Sequence, residues 1–338
     1  MKELKFIQAC PDDTYYTWQV HLWMESLKEI GHSDKAVNLI FTPNGRQPNE
    51  KWEKIVELYP EAEFVFIKDE DNISQYIPIY IPVLRPYSLY RYFKGNPKSS
   101  EKAFFYCDSD ILFTKNFNVN RFLENEICYL SDTNSYINAS YFDSKVRDVL
   151  PDKLEEYKKM DVLHEICSII GISREIAEKN NLNSGGAQYL LKNVDAKFWH
   201  KVMEDSIKIR VFLQNVNRKY FENENKGFQS WCADMWAVLW NLWLNNQETK
   251  VVSELAFAWS TDPIKKLESH TILHNAGITG TEMNGYPCFY KGKYHRGSDP
   301  TEDKHLQDVL ENSKSQQYCN WYYADKLNKL KQKYKLDY

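Results

Sequence analysis

The chain has no apolar run approaching the roughly 20 residues that a membrane-crossing helix needs, so no transmembrane segment is expected. No secretory signal is expected either, because Leu4-Lys5-Phe6-Ile7 reads as a strand almost at the first residue. A cytoplasmic location is therefore expected. Seven cysteines (Cys10, Cys107, Cys128, Cys167, Cys232, Cys288 and Cys319) include no Cys-x-x-Cys pair. An odd, scattered set in a chain too large to need covalent staples reads as free thiols in reducing surroundings. Charge of one sign is not in excess either: the net charge of -4 gives no general electrostatic case for binding nucleic acid. Internal repeats and low-complexity tracts are also missing.

What is present is material for a large core. With 338 residues, 43% hydrophobic and 15% aromatic, the chain can build one large or two modest domains. Residues 4–9 read as a strand, and Pro11-Asp12-Asp13-Thr14 forms a loop whose polar side chains can cap a helix over 15–30, closed by Gly31. A strand over 36–41, a turn at 42–45, a helix over 49–59 and a strand over 63–67 follow. Strands alternating with helices predict an α/β fold with a mostly parallel central sheet covered on both faces.

Ile77-Pro78-Ile79-Tyr80-Ile81-Pro82 cannot be a central strand, since two prolines lack the ladder donors; it reads as a loop entering a helix over 83–93 that carries Arg85. A strand over 102–107 comes next, then one over 127–130 and an amphipathic helix over 152–170. Residues 182–188 form a glycine turn leading into a strand at 189–191, followed by a long helix over 195–220 and a polar loop at 221–227. The segment 229–246, with Trp231, Trp236, Trp240 and Trp243, is apolar almost all round and predicts a buried helix. Strands are expected within 250–259 and 271–274, an irregular lid or loop over 277–299, and an amphipathic, lysine-rich helix over 316–334.

The chemistry concentrates at Phe104-Phe105-Tyr106-Cys107-Asp108-Ser109-Asp110, where two carboxylates follow an apolar strand. Ligands of open α/β sheets bind outside the carboxyl ends of the strands, which is where this pair falls. In an extended chain Asp108 and Asp110 would point to one side, about 7 Å apart. Two neighbouring carboxylates repel and are costly to desolvate, and a hard divalent cation such as Mn²⁺ or Mg²⁺ offsets both. An aspartyl-phosphate phosphatase also places Asp-x-Asp after a strand, but that chemistry favours a small hydroxyl or β-branched residue where Leu112 stands.

His270 and His274 would make a zinc pair on a helix; Thr271-Ile272-Leu273 reads better as strand, which separates the imidazoles by about 13 Å. His274, at the strand's end, is the better ligand candidate, against a core histidine satisfied by a carbonyl. Asp234 is the lone acid in the apolar helix and needs a partner, either a buried arginine or lysine or a reacting sugar for which it would act as general base or orienting carboxylate. Asn183-Ser184-Gly185-Gly186 offers unhindered backbone for close approach to a sugar, or simply a turn before a strand. Arg85 can pair with a phosphate or with an acid. Lys326, Lys329, Lys331, Lys333 and Lys335 can meet an anionic partner or form a solvated face.

In order, Tyr15 with Trp18-Gln19, Arg85-Pro86, Asp108-Ser109-Asp110, Asn183-Ser184-Gly185-Gly186, Trp231 with Asp234-Met235, and Ile272-Leu273-His274 resemble the GT-A glycosyltransferases. More particularly, they resemble the hydroxyproline O-arabinosyltransferase and peptidyl-serine galactosyltransferase group. The resemblance implies a GT-A, Rossmann-like catalytic domain over 1–285, with 286–338 as a loop and helical C-terminal extension. It implies that Asp108, Asp110 and His274 hold Mn²⁺ (or Mg²⁺) and the donor diphosphate, and that Ala9, Tyr15 and Gln19 surround the nucleoside. Arg85 would support donor binding, and Asn183, Ser184, Gly185, Gly186, Trp231 and Asp234 would line the sugar and acceptor, with Asp234 catalytic.

The function expected is therefore a metal-dependent glycosyltransferase using a nucleotide-sugar donor, a UDP-sugar, and a hydroxyl acceptor on a protein, glycan or small molecule, with retention implied by the resemblance alone. Alternatives are a DNA glycosyltransferase acting on hydroxymethylated pyrimidines and a non-catalytic sugar-binding or scaffold protein.

Overall fold

The first strand, β1 (Leu4–Pro11), is followed by β2 (Ala36–Thr42), β3 (Glu63–Lys68), β4 (Ala103–Tyr106), β5 (Ile111–Phe113), β6 (Cys128–Leu130), β7 (Tyr189–Lys192), β8 (Thr249–Val251), β9 (Phe257–Trp259) and β10 (Ile272–His274). The computed structural model describes residues 2–76, 80–223 and 226–338. Residues 77–79 of the expected proline loop and 224–225 of the expected polar loop lie outside the described residues. Seven strands form one sheet in the order β3-β2-β1-β4-β7-β6-β8, and three form a second in the order β5-β10-β9. The pairs β1/β2, β2/β3 and β6/β8 are parallel and β6/β7 is antiparallel, so the predicted α/β architecture with a mostly parallel sheet is present. All seven residues of β2 are buried, as a strand covered on both faces requires.

By contacts the chain divides into two compact units, one comprising Met1–Glu3, Asp71–Phe105 and Phe122–Ser253, the other Leu4–Glu70, Tyr106–Arg121 and Glu254–Tyr338. In the first, the helix Leu84–Gly95 packs on the long helix Ala196–Tyr220, which also packs on Ala233–Leu244. The last of these is the expected apolar helix, with Trp236, Leu239 and Trp240 fully buried. In the second unit, helix Thr14–Glu29 follows β1, its start capped by the Asp13 carboxylate accepting the Tyr15 amide at 2.7 Å. Its Trp18 and Leu22 share a core with Leu112 of β5, Leu273 of β10 and Tyr323, Leu327 and Leu330 of the C-terminal helix Cys319–Tyr334.

Several local expectations are corrected. The helix foreseen over 152–170 is broken: Leu154–Tyr157 is a single turn, and Val162–Ile170 starts afresh because the Asp161 side chain caps the His164 amide at 3.0 Å. Residues 250–259 divide between the two sheets, with a 3-10 turn at Ser253–Leu255 between β8 and β9. Trp231 precedes the buried helix on a 3-10 turn, Ser230–Cys232, and is 49% exposed where burial was foreseen. The segment after β10 is less irregular than foreseen, since Glu282–Met283 pairs antiparallel with Tyr286–Pro287. Its turn is Asn284-Gly285, both at positive φ (50° and 77°), the pattern that closes a two-residue hairpin with the natural strand twist. All seven cysteines are free. No helix among the described residues is long and apolar enough to cross a membrane.

Candidate metal centre

β4 is short and wholly buried, and the chain leaves it through a turn at Ser109-Asp110 before β5 begins. The acidic pair therefore sits on a turn between two strands, where an extended segment was expected. β10 runs antiparallel to β5 with Ile272 opposite Phe113, Leu273 opposite Leu112 and His274 opposite Ile111. One step beyond that register the Asn275 amide donates to the Asp110 carbonyl at 3.0 Å. Strand pairing thus delivers His274 to carboxylates more than 160 residues earlier in the chain. Its Nε2 lies 3.6 Å from Asp108 Oδ2 and 3.4 Å from Asp110 Oδ1. The ring is held by Trp259, stacked at 5.9 Å between centroids with 12° between planes, and by Phe257 at 5.2 Å. Parallel pairing of β9 with β10, which sets His274 beside Trp259, accounts for that stacking.

Asp110 is buried and Asp108 is partly open, with side chains 6% and 25% exposed. Burial alone would raise the Asp110 pKa; Lys291 and His274 outweigh it and hold this carboxyl below the usual carboxylate range. Lys291 Nζ forms an ion pair with Asp110 Oδ2. This lysine escaped the sequence reading, because nothing in a glycine-rich segment 181 residues downstream marks one lysine as facing the acidic turn. Tyr15, from the first turn of the helix after β1, also belongs here: burial pushes its phenol up to about 12, with Lys291 pulling it down and Asp110 pushing it up.

Ala9 and Gln19, predicted beside the nucleoside, belong to the same unit. Ala9 is buried on β1 opposite Leu39, and Gln19 donates its side-chain amide to the Tyr15 carbonyl at 2.7 Å, within its own helix. Asp12, not singled out in the sequence, organises the loop beyond β1. Its carboxylate accepts the Asn49 amide at 3.1 Å and the Trp52 indole N–H at 2.8 Å, tying that loop to the helix Lys51–Leu58.

The remaining predicted residues gather in the first unit. Asp234 is buried and forms an ion pair with Arg85, so the partner it required is an arginine. Burial still raises its pKa above the ordinary carboxyl value, against the lowering by Arg85. The Asp234 amide donates to the Tyr80 hydroxyl at 2.9 Å. Tyr80 meets Trp231 edge-on at 6.0 Å, and the Arg210 guanidinium lies over both rings, at 5.3 and 5.7 Å. Neither Tyr80 nor Arg210 was singled out from sequence.

Ser184, Gly185 and Gly186 are buried, and the Gly186 amide donates to the Ser131 carbonyl at 3.2 Å. A methyl on Gly185 would run into that same carbonyl oxygen, and one on Gly186 would meet Tyr189 and Met235, the residue after Asp234. In these contacts the glycines serve close packing beside β6 and the Asp234 helix.

Among the described residues, one oxygen each of Asp108 and Asp110 and one nitrogen of His274 lie within 4.8 Å of one another. A cation about 2.1 Å from each of its ligands sees them roughly 3–4 Å apart, so the 3.4 and 3.6 Å separations fit one ion. Two carboxylates and an imidazole suit a divalent cation that accepts both oxygen and nitrogen donors.

No family model and no curated protein matches the chain. Among solved structures it is similar to the bifunctional glycosyltransferase WbbM in its apo form, with TM-score 0.41, 7% identity, and coverage of 93% of this chain and 50% of that one. It thus spans half the length of WbbM. The galactosyltransferase LgtC, solved with donor and acceptor sugar analogues, gives TM-score 0.41 and 12% identity over 83% of this chain and 90% of that one. Mouse xyloside xylosyltransferase 1, apo form, gives 0.40 and 10% over 82% and 100%. Likenesses this slight assign the chain neither a family nor an activity.

Proposed function

We propose that this protein is a metal-dependent glycosyltransferase that moves a sugar from a nucleoside diphosphate, UDP, to a hydroxyl acceptor. The observation that carries the reading is the convergence of Asp108, Asp110 and His274 at a spacing one divalent cation can bridge. Asp108, Asp110 and His274 would hold Mn²⁺, and the ion would neutralise charge on the departing diphosphate. Tyr15, beside the same centre, would contact the nucleotide together with Ala9 and Gln19. Asp234, Trp231 and the residues Asn183 to Gly186 are assigned to sugar and acceptor, with Arg85 fixing the Asp234 carboxylate. A retaining outcome is implied by the family resemblance alone.

The lysine-rich C-terminal helix permits the DNA-directed alternative, which the net charge of -4 does not encourage. Lys326, Lys329, Lys331 and Lys333 are paired with Glu29, Asp325, Asp337 and Glu25 respectively, at 2.5–2.8 Å, so these cations already have acidic partners. A polypeptide, glycan or small-molecule hydroxyl is the acceptor we favour.

The test is a thermal-shift screen of nucleotide sugars with and without Mn²⁺. A donor at 100 times its Kd adds about 2.7 kcal/mol to the stability, and the increment should depend on Mn²⁺ and vanish in Asp110→Ala. Flat responses for every donor, together with undetectable donor hydrolysis, would sink the proposal; binding without hydrolysis would favour a non-catalytic sugar-binding protein.

A further inference from the structure

We infer that Lys291 is a built-in counter-ion of the metal centre, seated on the second oxygen of Asp110 beside the cation position and drawn off it when a nucleoside diphosphate arrives, which adds to the cooperativity of metal and nucleotide. The inference rests on the metal-centre reading above.

The two oxygens of Asp110 have different partners: Oδ1 faces His274 Nε2 at 3.4 Å, whereas Oδ2 takes the Lys291 ammonium. Asp110 is almost wholly buried, and a buried carboxylate stripped of its partner is strongly destabilising. Lys291 thus keeps the acidic turn folded in the absence of metal. The same contact opposes metal binding. A dication entering beside Asp110 meets an ammonium already paired with that carboxylate, and the two like charges repel.

The lysine is placed to leave without unfolding its surroundings. Its side chain is 29% exposed, against 6% for Asp110. Its backbone is anchored close by: the Phe289 amide donates to Asn320 Oδ1 at 2.7 Å, Asn320 Nδ2 donates to the Phe289 carbonyl at 2.9 Å, and Ser315 Oγ donates to the Pro287 carbonyl at 2.7 Å. Movement therefore falls to the flexible four-carbon stem. A diphosphate held by the cation offers the ammonium a new anionic partner within that reach. Metal then no longer competes with Lys291, and by linkage each ligand raises the affinity of the other by the same factor.

Isothermal titration of Mn²⁺, alone and with saturating UDP or GDP, tests this on wild type, Lys291→Met and Lys291→Arg, with Asp110→Asn as the control that removes the shared carboxylate. In wild type, nucleotide should tighten Mn²⁺ at least tenfold. Lys291→Met should bind Mn²⁺ alone five- to tenfold more tightly than wild type and show a correspondingly smaller nucleotide effect, the remainder coming from the diphosphate on the ion itself; Lys291→Arg, which keeps the charge, should resemble wild type. Circular dichroism and the melting temperature identify a variant that has failed to fold, and Lys291→Gln then replaces Lys291→Met. Unchanged or weaker Mn²⁺ affinity in the folded neutral variant would overturn this inference alone. No Mn²⁺ binding by wild type under any condition would overturn it together with the metal-centre reading.

Discussion

His21 is fully buried on the helix after β1, its Nδ1 2.6 Å from the Tyr338 hydroxyl. Burial pushes its pKa down from 6.5 to about 3, with Glu25 pulling it up and Lys333 and Lys28 pushing it further down. In the unfolded chain the same imidazole takes a proton near pH 6.5. Protons therefore favour the unfolded state: the full stability is present above about pH 6.5 and is lost progressively as the pH falls toward 3. Denaturant titrations at pH 7, 6 and 5 should show a slope in wild type that His21→Gln reduces by about one proton; an unchanged slope would rule this out.

Individual residues differ in how far sequence could reveal them. Asp108 and Asp110 betray themselves by sitting after an apolar strand, and His274 by ending one. Lys291 and Arg210 carry no such local mark, because a lysine in a glycine-rich loop and an arginine on a long helix look like solvated side chains until the fold supplies their partners.

At the scale of elements, the pairing of β5 with β10 builds the centre, and its register is set by buried side chains, since a one-residue slip would turn Leu112 and Leu273 out of the core. Neither strand exceeds three residues, so propensity alone could not have matched them. The turn before β7 is comparably constrained. Gly185 lies against the Ser131 carbonyl and beside Val251 of β8, and backbone cannot yield as a flexible side chain would. Gly185→Ala is expected to destabilise by about 1–3 kcal/mol, read as a lower denaturation midpoint, without altering Mn²⁺ binding. The broken 152–170 helix shows the opposite limit: apolar periodicity continued through Asp161, but a capping carboxylate won locally.

For the molecule as a whole, the end of the chain closes on its beginning. Tyr59, Lys333 and Tyr334 all bond to the Glu25 carboxylate, at 2.9, 2.5 and 2.8 Å, and Leu327 is fully buried in the core that contains Leu112 of the metal-centre strand. Leu327→Ala should cost about 2–5 kcal/mol, measured by chemical denaturation. It should also weaken Mn²⁺ binding, because Leu112 stands two residues from Asp110; full retention of metal affinity would show that the acidic turn is held independently of this core. By itself the sequence determined the alternation of strands and helices, the apolar helix with its lone acid, and the acidic pair after an apolar strand, because each is a pattern of neighbours within a few turns or one strand. Only the tertiary structure decided which distant charges meet: Arg85 with Asp234, and His274 and Lys291 with Asp110. Those meetings depend on register and packing between elements over 100 residues apart, where ionic attraction is short in reach and no local spacing records it.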